Sequence, residues 1–137
     1  MNYEVIDIFG DAGIKASGSD CAEAWGNVGI GMYSLITDLE QIGERKTLEI
    51  DISSDSLESL LVKYLNELIF HFDTYNFIGK RIEVTEFSAA FIRAKVYGEE
   101  FDPRKHEQRL LLKAATYHNI RVDKSSGRCE VEVIFDI

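Results

Sequence analysis

Leu57-Glu58-Ser59-Leu60-Leu61-Val62-Lys63-Tyr64-Leu65-Asn66-Glu67-Leu68-Ile69-Phe70-His71-Phe72 is the stretch that decides the fold class. Leu57, Leu60, Leu61, Tyr64, Leu65, Leu68, Ile69 and Phe72 recur every three or four positions. That spacing winds them onto one wide apolar face of an α-helix. Asp55-Ser56-Leu57-Glu58 before it has the spacing of a capping box, with Asp in the leading position. A helix is predicted over about Ser56 to Asp73. An amphipathic helix of this kind needs an apolar surface to cover.

Outward toward the N-terminus, Leu48, Ile50 and Ile52 alternate with Glu49 and Asp51, the pattern of a half-buried strand. Further back, Trp25, Val28, Met32, Leu35, Ile36 and Leu39 again follow helical spacing. Asp20-Cys21-Ala22-Glu23 supplies the cap, so a first helix is predicted from about Cys21 to Asp38. Gly26, Gly29 and Gly31 weaken it by roughly 1 kcal/mol each relative to Ala. Close packing against a sheet explains them better than a phosphate loop, because they lie inside the periodic segment. Tyr3 to Ile8 reads as a short strand and Ile14 to Ser17 as a second. Phe9-Gly10-Asp11-Ala12-Gly13 between them reads as a turn with unusual backbone angles.

Outward toward the C-terminus, Ile82 and Val84 alternate with Glu83 and Thr85. Ala90, Ile92, Ala94 and Val96 alternate with Phe91, Arg93, Lys95 and Tyr97. Gly98 to His106 reads as a polar loop with the sole proline, Pro103. Leu110 to Val122 reads as a long strand bent near His118 and Asn119, and Ser125-Ser126-Gly127 as a turn. The last strand is predicted over Cys129 to Ile137. Its inward face is Cys129, Val131, Val133, Phe135 and Ile137, with Glu130, Glu132, Ile134 and Asp136 on the other. Two helices early and strands late indicate an α+β fold: one two-layer domain over residues 1–137. A mixed or antiparallel sheet carries the two main helices on one face.

The 137 residues suit one domain. Hydrophobic residues make up 45%, which excludes a disordered chain. The net charge of −9 argues against a general nucleic-acid binder, since those neutralise phosphates with clustered Lys and Arg. No apolar run reaches the ~20 residues that span a bilayer. No secretory leader is visible, so a cytoplasmic protein is expected. Cys21 and Cys129 are expected to be reduced, structural thiols. No zinc motif, P-loop, nucleophile elbow, Ser–His–Asp or Cys–His pattern is present.

Candidate chemistry sits at the chain ends. Asp11 lies in the glycine-flanked turn, and Asp136 precedes the terminal Ile137 with its α-carboxylate. These three acids converge if the first and last strands are neighbours. Crowded carboxylates call for a cation or a proton between them, and an all-oxygen set favours Ca²⁺ or Mg²⁺. From spacing alone a solvated acidic patch is the stronger reading. Lys113 and His118, five residues apart, fall on opposite faces of a regular strand. His71 and His106 read as structural or surface residues.

Five segments together resemble the archease family. They are Asp7 through Asp11-Ala12-Gly13-Ile14, Leu60 to Leu68, and Gly98-Glu99-x-x-Asp102-x-x-x-His106. The other two are Lys113-Ala114-Ala115-Thr116-Tyr117-His118 and Val133-Ile134-Phe135-Asp136-Ile137. Members of that family are small protein cofactors of the tRNA-splicing RNA ligase. This enzyme joins a 2′,3′-cyclic phosphate or 3′-phosphate end to a 5′-hydroxyl. The resemblance implies a protein that promotes guanylylation of the ligase and its multiple turnover. It also implies a divalent cation held by Asp11, Asp136 and Ile137. Asp7, Lys113 and His118 would then contact the partner or support the site. One departure stands out: the family pattern Asp-His-Thr-Ala-Asp reads Asp7-Ile8-Phe9-Gly10-Asp11 here, so His and Thr become apolar.

Two functional classes follow. In the first, the protein activates an RNA ligase and the chemistry stays in the ligase. In the second, it is itself a metal-dependent phosphohydrolase or nuclease, with Asp11 and Asp136 on Mg²⁺ and His118 or Lys113 at the leaving group. The scarcity of basic residues around the acids speaks against the second.

Overall fold

The computed structural model describes residues 2–8, 10–125 and 127–137, and of Ile8 the backbone only. The order of elements is β1 (Tyr3–Ile8), β2 (Asp11–Gly18), α1 (Cys21–Ile36), β3 (Lys46–Ser53), α2 (Leu57–Tyr75), β4 (Phe77–Ser88) and β5 (Phe91–Glu100). β6 (Ala114–Ala115), β7 (Arg121–Asp123) and β8 (Cys129–Asp136) follow. Every pairing between strands is antiparallel. They form two sheets, one in the order β1-β2-β8-β6 with β7 also on β8, the other in the order β3-β5-β4.

The apolar face of α2 explains how the layers hold together. Leu60, Leu61, Tyr64, Leu65 and Leu68 are wholly buried, and each such leucine contributes about 2 kcal/mol of transfer free energy. The cap is Ser56, not Asp55: its side chain accepts the Ser59 N–H at 3.1 Å. Asn76, with φ 58°, ends the helix in the left-handed region, and β4 starts one residue later at Phe77, five residues before the alternation that begins at Ile82.

α1 bridges the sheets, packing against β2 on one side and β4 on the other. The Asp20 side chain accepts the Glu23 N–H at 2.8 Å. Glu23 reaches back to the Ser19 N–H at 3.2 Å. The helix ends at Ile36, and Leu39 belongs to a separate 3-10 turn, Leu39–Gln41. The final carbonyls of α1 are taken by the loop after β5. Leu110 N–H donates to Leu35 O at 3.0 Å and Arg109 N–H to Ile36 O at 2.9 Å.

Three expectations need correction. The turn between β1 and β2 is tighter than Phe9 to Gly13. The pair Ile8↔Asp11 already belongs to the ladder, and Gly10 takes φ 80°. Asp11 therefore starts a strand; Phe9 lies outside the described residues, as does Ser126 in the expected turn at 125–127. The long strand from Leu110 to Val122 is instead β6 and β7. They are separated by a turn in which Asn119 adopts φ 51°. Finally, Cys21 and Cys129 are not separate thiols. The fold sets the first residue of α1 beside the first residue of β8, Cα atoms 5.0 Å apart, and the sulfurs are joined as a disulfide.

Alternation along β8 is also incomplete. Cys129, Val131, Val133 and Phe135 are buried as expected, but Ile137 is 41% exposed. Ile134, on the opposite face, is buried beside its register partner Gly13. Among the described residues no helix is long and apolar enough to cross a membrane.

Candidate functional site

The ends of β2 and β8 bring Asp11 and Asp136 together. β8 does not pair with the first strand; β2 lies between them. The β2–β8 ladder runs from Gly18↔Cys129 to Ala12↔Phe135. Asp11 and Asp136 come one residue beyond that last pair, and strand alternation places both on the face opposite Ala12 and Phe135. Asp11 is half-buried, while Asp136 and Ile137 are exposed. Among the described residues neither aspartate is ion-paired.

The other named residues surround this end without joining it. Asp7 pairs with Ala12 in the hairpin register, so alternation sends it to the face away from Asp11. Lys113 precedes β6 and its backbone N–H donates to the Asp136 carbonyl at 2.8 Å. His118 is exposed in the turn after β6, its backbone N–H donating to Thr116 Oγ1 at 3.3 Å.

The donor chemistry suits a hard cation in kind but is sparse in number. Among the described residues no group of three or more His, Cys, Asp and Glu side chains is placed to hold a metal ion. Asp11 and Asp136 supply two carboxylates. A carboxylate at Ile137 would add another donor, and Ca²⁺ prefers six to eight oxygens. Water, backbone or a partner would supply the rest.

His106 has a different role from these acids. It is 4% exposed. Its Nδ1 accepts the Asp102 N–H at 2.9 Å, and its Nε2 faces Glu99 Oε2 at 3.5 Å. Glu99 also accepts the Gly43 N–H and lies 3.5 Å from Arg45 Nε. Asp102 accepts the Arg104 backbone N–H at 2.9 Å, which holds its carboxyl below the usual range. The Gly98-Glu99-x-x-Asp102-x-x-x-His106 segment is thus a clamp that closes the loop between β5 and β6.

Asn66 is a polar residue on the flank of α2, outside its apolar face. Its side-chain amide reaches β6: Ala115 N–H donates to Asn66 Oδ1 at 2.7 Å, and Asn66 Nδ2 donates to Ala115 O at 3.4 Å.

Comparison with known proteins places this geometry in context. The model of the archease protein family (MTH1598/TM1083) matches residues 3–137. "Protein archease-like" of Drosophila melanogaster is 35% identical, covering 100% of this chain and 91% of that one. "Protein archease" of Pyrococcus abyssi is 33% identical over 98% of each. The solution structure of Methanobacterium thermoautotrophicum protein 1598 superimposes with a TM-score of 0.83 at 29% identity, covering 99% of both chains. A crystal structure from Thermotoga maritima, described as an archease and possible chaperone, has a TM-score of 0.61 at 18% identity and shares the fold.

Proposed function

The chain belongs to the archease family, and from that premise we propose that it is a non-enzymatic activator of the tRNA-splicing RNA ligase. The observation that carries this reading is the family match across residues 3–137. The protein would raise guanylylation of the ligase and let it turn over repeatedly in tRNA splicing and RNA repair.

The acidic strand ends are the part of the molecule best suited to that task. Asp11, Asp136 and the Ile137 carboxylate would hold Ca²⁺ or Mg²⁺, which supplies positive charge against phosphate oxygens when bound. Asp11 and Asp136 lie at the ends of two paired strands, one residue beyond the last pair of their ladder, which supports a shared site. The exposed side chain of Lys113 flanks the same end and that of His118 lies in the turn after β6; both would meet the partner. Asp7, on the other face of the hairpin, would contact the partner without reaching the ion.

The direct test mixes ligase, GTP and RNA bearing a 2′,3′-cyclic phosphate, with and without this protein. Faster guanylylation and more than one ligation per ligase molecule are expected. Unchanged guanylylation and turnover with a matched ligase would overturn the proposal. Phosphoester hydrolysis by the purified protein alone would favour the metal-dependent hydrolase reading instead.

A further inference from the structure

The Asn66 amide occupies the place of a missing strand. β6 is two residues long, and one of its edges pairs with β8 through Ala114↔Asp136 and Ala115↔Phe135. Its other edge faces α2. There the Asn66 carboxamide both accepts from the Ala115 N–H and donates to the Ala115 carbonyl. A carboxamide carries a donor and an acceptor side by side, like a peptide group. It therefore closes an edge that a further strand would otherwise close. α2 holds it rigidly, because Leu65 and Leu68 beside it are wholly buried.

The consequence reaches the chain end. On the β2 side the ladder stops at Ala12↔Phe135. On the other side Lys113 N–H donates to the Asp136 carbonyl at 2.8 Å. Thr116 grips Ile134 O with its N–H at 3.0 Å and its Oγ1 at 2.8 Å. The last residues of β8 are therefore gripped from β6, and β6 is gripped from Asn66.

We infer that Asn66 is a positioning residue: it holds β6, which holds Asp136 and Ile137 beside Asp11. The functional half of this inference rests on the cation reading above. The structural half does not.

The test compares Asn66→Ala and Asn66→Asp with Val62→Ala, a packing loss on the same helix that leaves the amide in place. In Asn66→Ala, amide exchange at Lys113, Ala115 and Thr116 should quicken at least tenfold. Protection in the β2–β8 ladder from Ile14 to Ser17 should hold. Asn66→Asp, which keeps the acceptor and loses the donor, should fall between. Ca²⁺ titration of untagged protein should show about a tenfold weaker affinity for Asn66→Ala and wild-type affinity for Val62→Ala. Unchanged protection at Lys113 and Thr116 overturns the inference. So does a Ca²⁺ affinity that Asn66→Ala leaves intact, or one that both variants weaken equally. Wild-type protein that takes up no Ca²⁺ removes the cation reading. The exchange rates then decide by themselves whether Asn66 holds the chain end.

Discussion

His106 is a buried polar ring in a segment without regular structure, so both of its nitrogens need partners. Because Nδ1 accepts from Asp102, the neutral ring carries its proton on Nε2, toward Glu99. Replacing it with Ala strands the Asp102 N–H and removes one contact of Glu99. His106→Ala should lose about 2–3 kcal/mol, read from the urea midpoint. Trypsin should then cut sooner after Arg104 or Lys105, both exposed beside it. Cleavage at the wild-type rate would show that the loop is held by other means. Asp11 and Asp136 carry the opposite expectation, since neither is buried among apolar side chains. Asp11→Asn and Asp136→Asn should keep the wild-type midpoint while Ca²⁺ affinity drops at least tenfold by calorimetry. A C-terminal tag, which turns the Ile137 carboxylate into an amide, should do the same. A tagged protein that binds Ca²⁺ like the untagged one would remove Ile137 from the ligand set.

α1 shows how element-scale packing overrides propensity. A Cβ on Gly29 would lie 2.5 Å from Ile82 Cδ1 and 2.6 Å from the Tyr64 hydroxyl. That hydroxyl donates to Trp25 O at 2.9 Å inside the core. At Gly26 the nearest atom is 3.7 Å away. Gly29→Ala should therefore cost about 1–3 kcal/mol through overpacking, whereas Gly26→Ala should gain up to about 1 kcal/mol of helix propensity. Equal melting temperatures for the two would refute the packing account. The same contrast explains what could be read in advance. α1, α2 and β3 were legible because one face of each meets the core, so periodicity in the sequence mirrors burial in space. The division into two sheets was not, because β2–β8 and β3–β5 pairings join residues far apart in the chain. The break between β6 and β7 depends on a left-handed Asn119, and of the four other asparagines only Asn76 takes that conformation. Asp11 and Asp136 could be grouped from their places near the two chain ends, but their shared face follows only from the register. Asn66 was hidden because its role appears only once β6 lies against α2.

At the scale of the whole molecule, the Cys21–Cys129 bond ties the start of α1 to the start of β8 across 108 positions. Closing a loop of on the order of 100 residues removes unfolded-state entropy worth about 5 kcal/mol. Reductant, or Cys129→Ser, should lower stability by that order, read from the urea midpoint. Identical midpoints would mean that the bond adds nothing. The net charge acts over a longer range. With −9 spread over 137 residues, the chain repels bare RNA, so RNA contact in the proposed function has to run through the partner. A ligase that holds RNA presents a basic surface, and opposite charge raises the encounter rate before any contact forms. The effect is screened within ~8 Å at physiological ionic strength. Association of this protein with its ligase should therefore slow by about tenfold or more between low salt and 0.5 M salt, measured by stopped-flow or surface plasmon resonance. Dissociation should change far less, because short-range contacts set it. An association rate indifferent to salt would leave the acidic surface without a role in finding the partner.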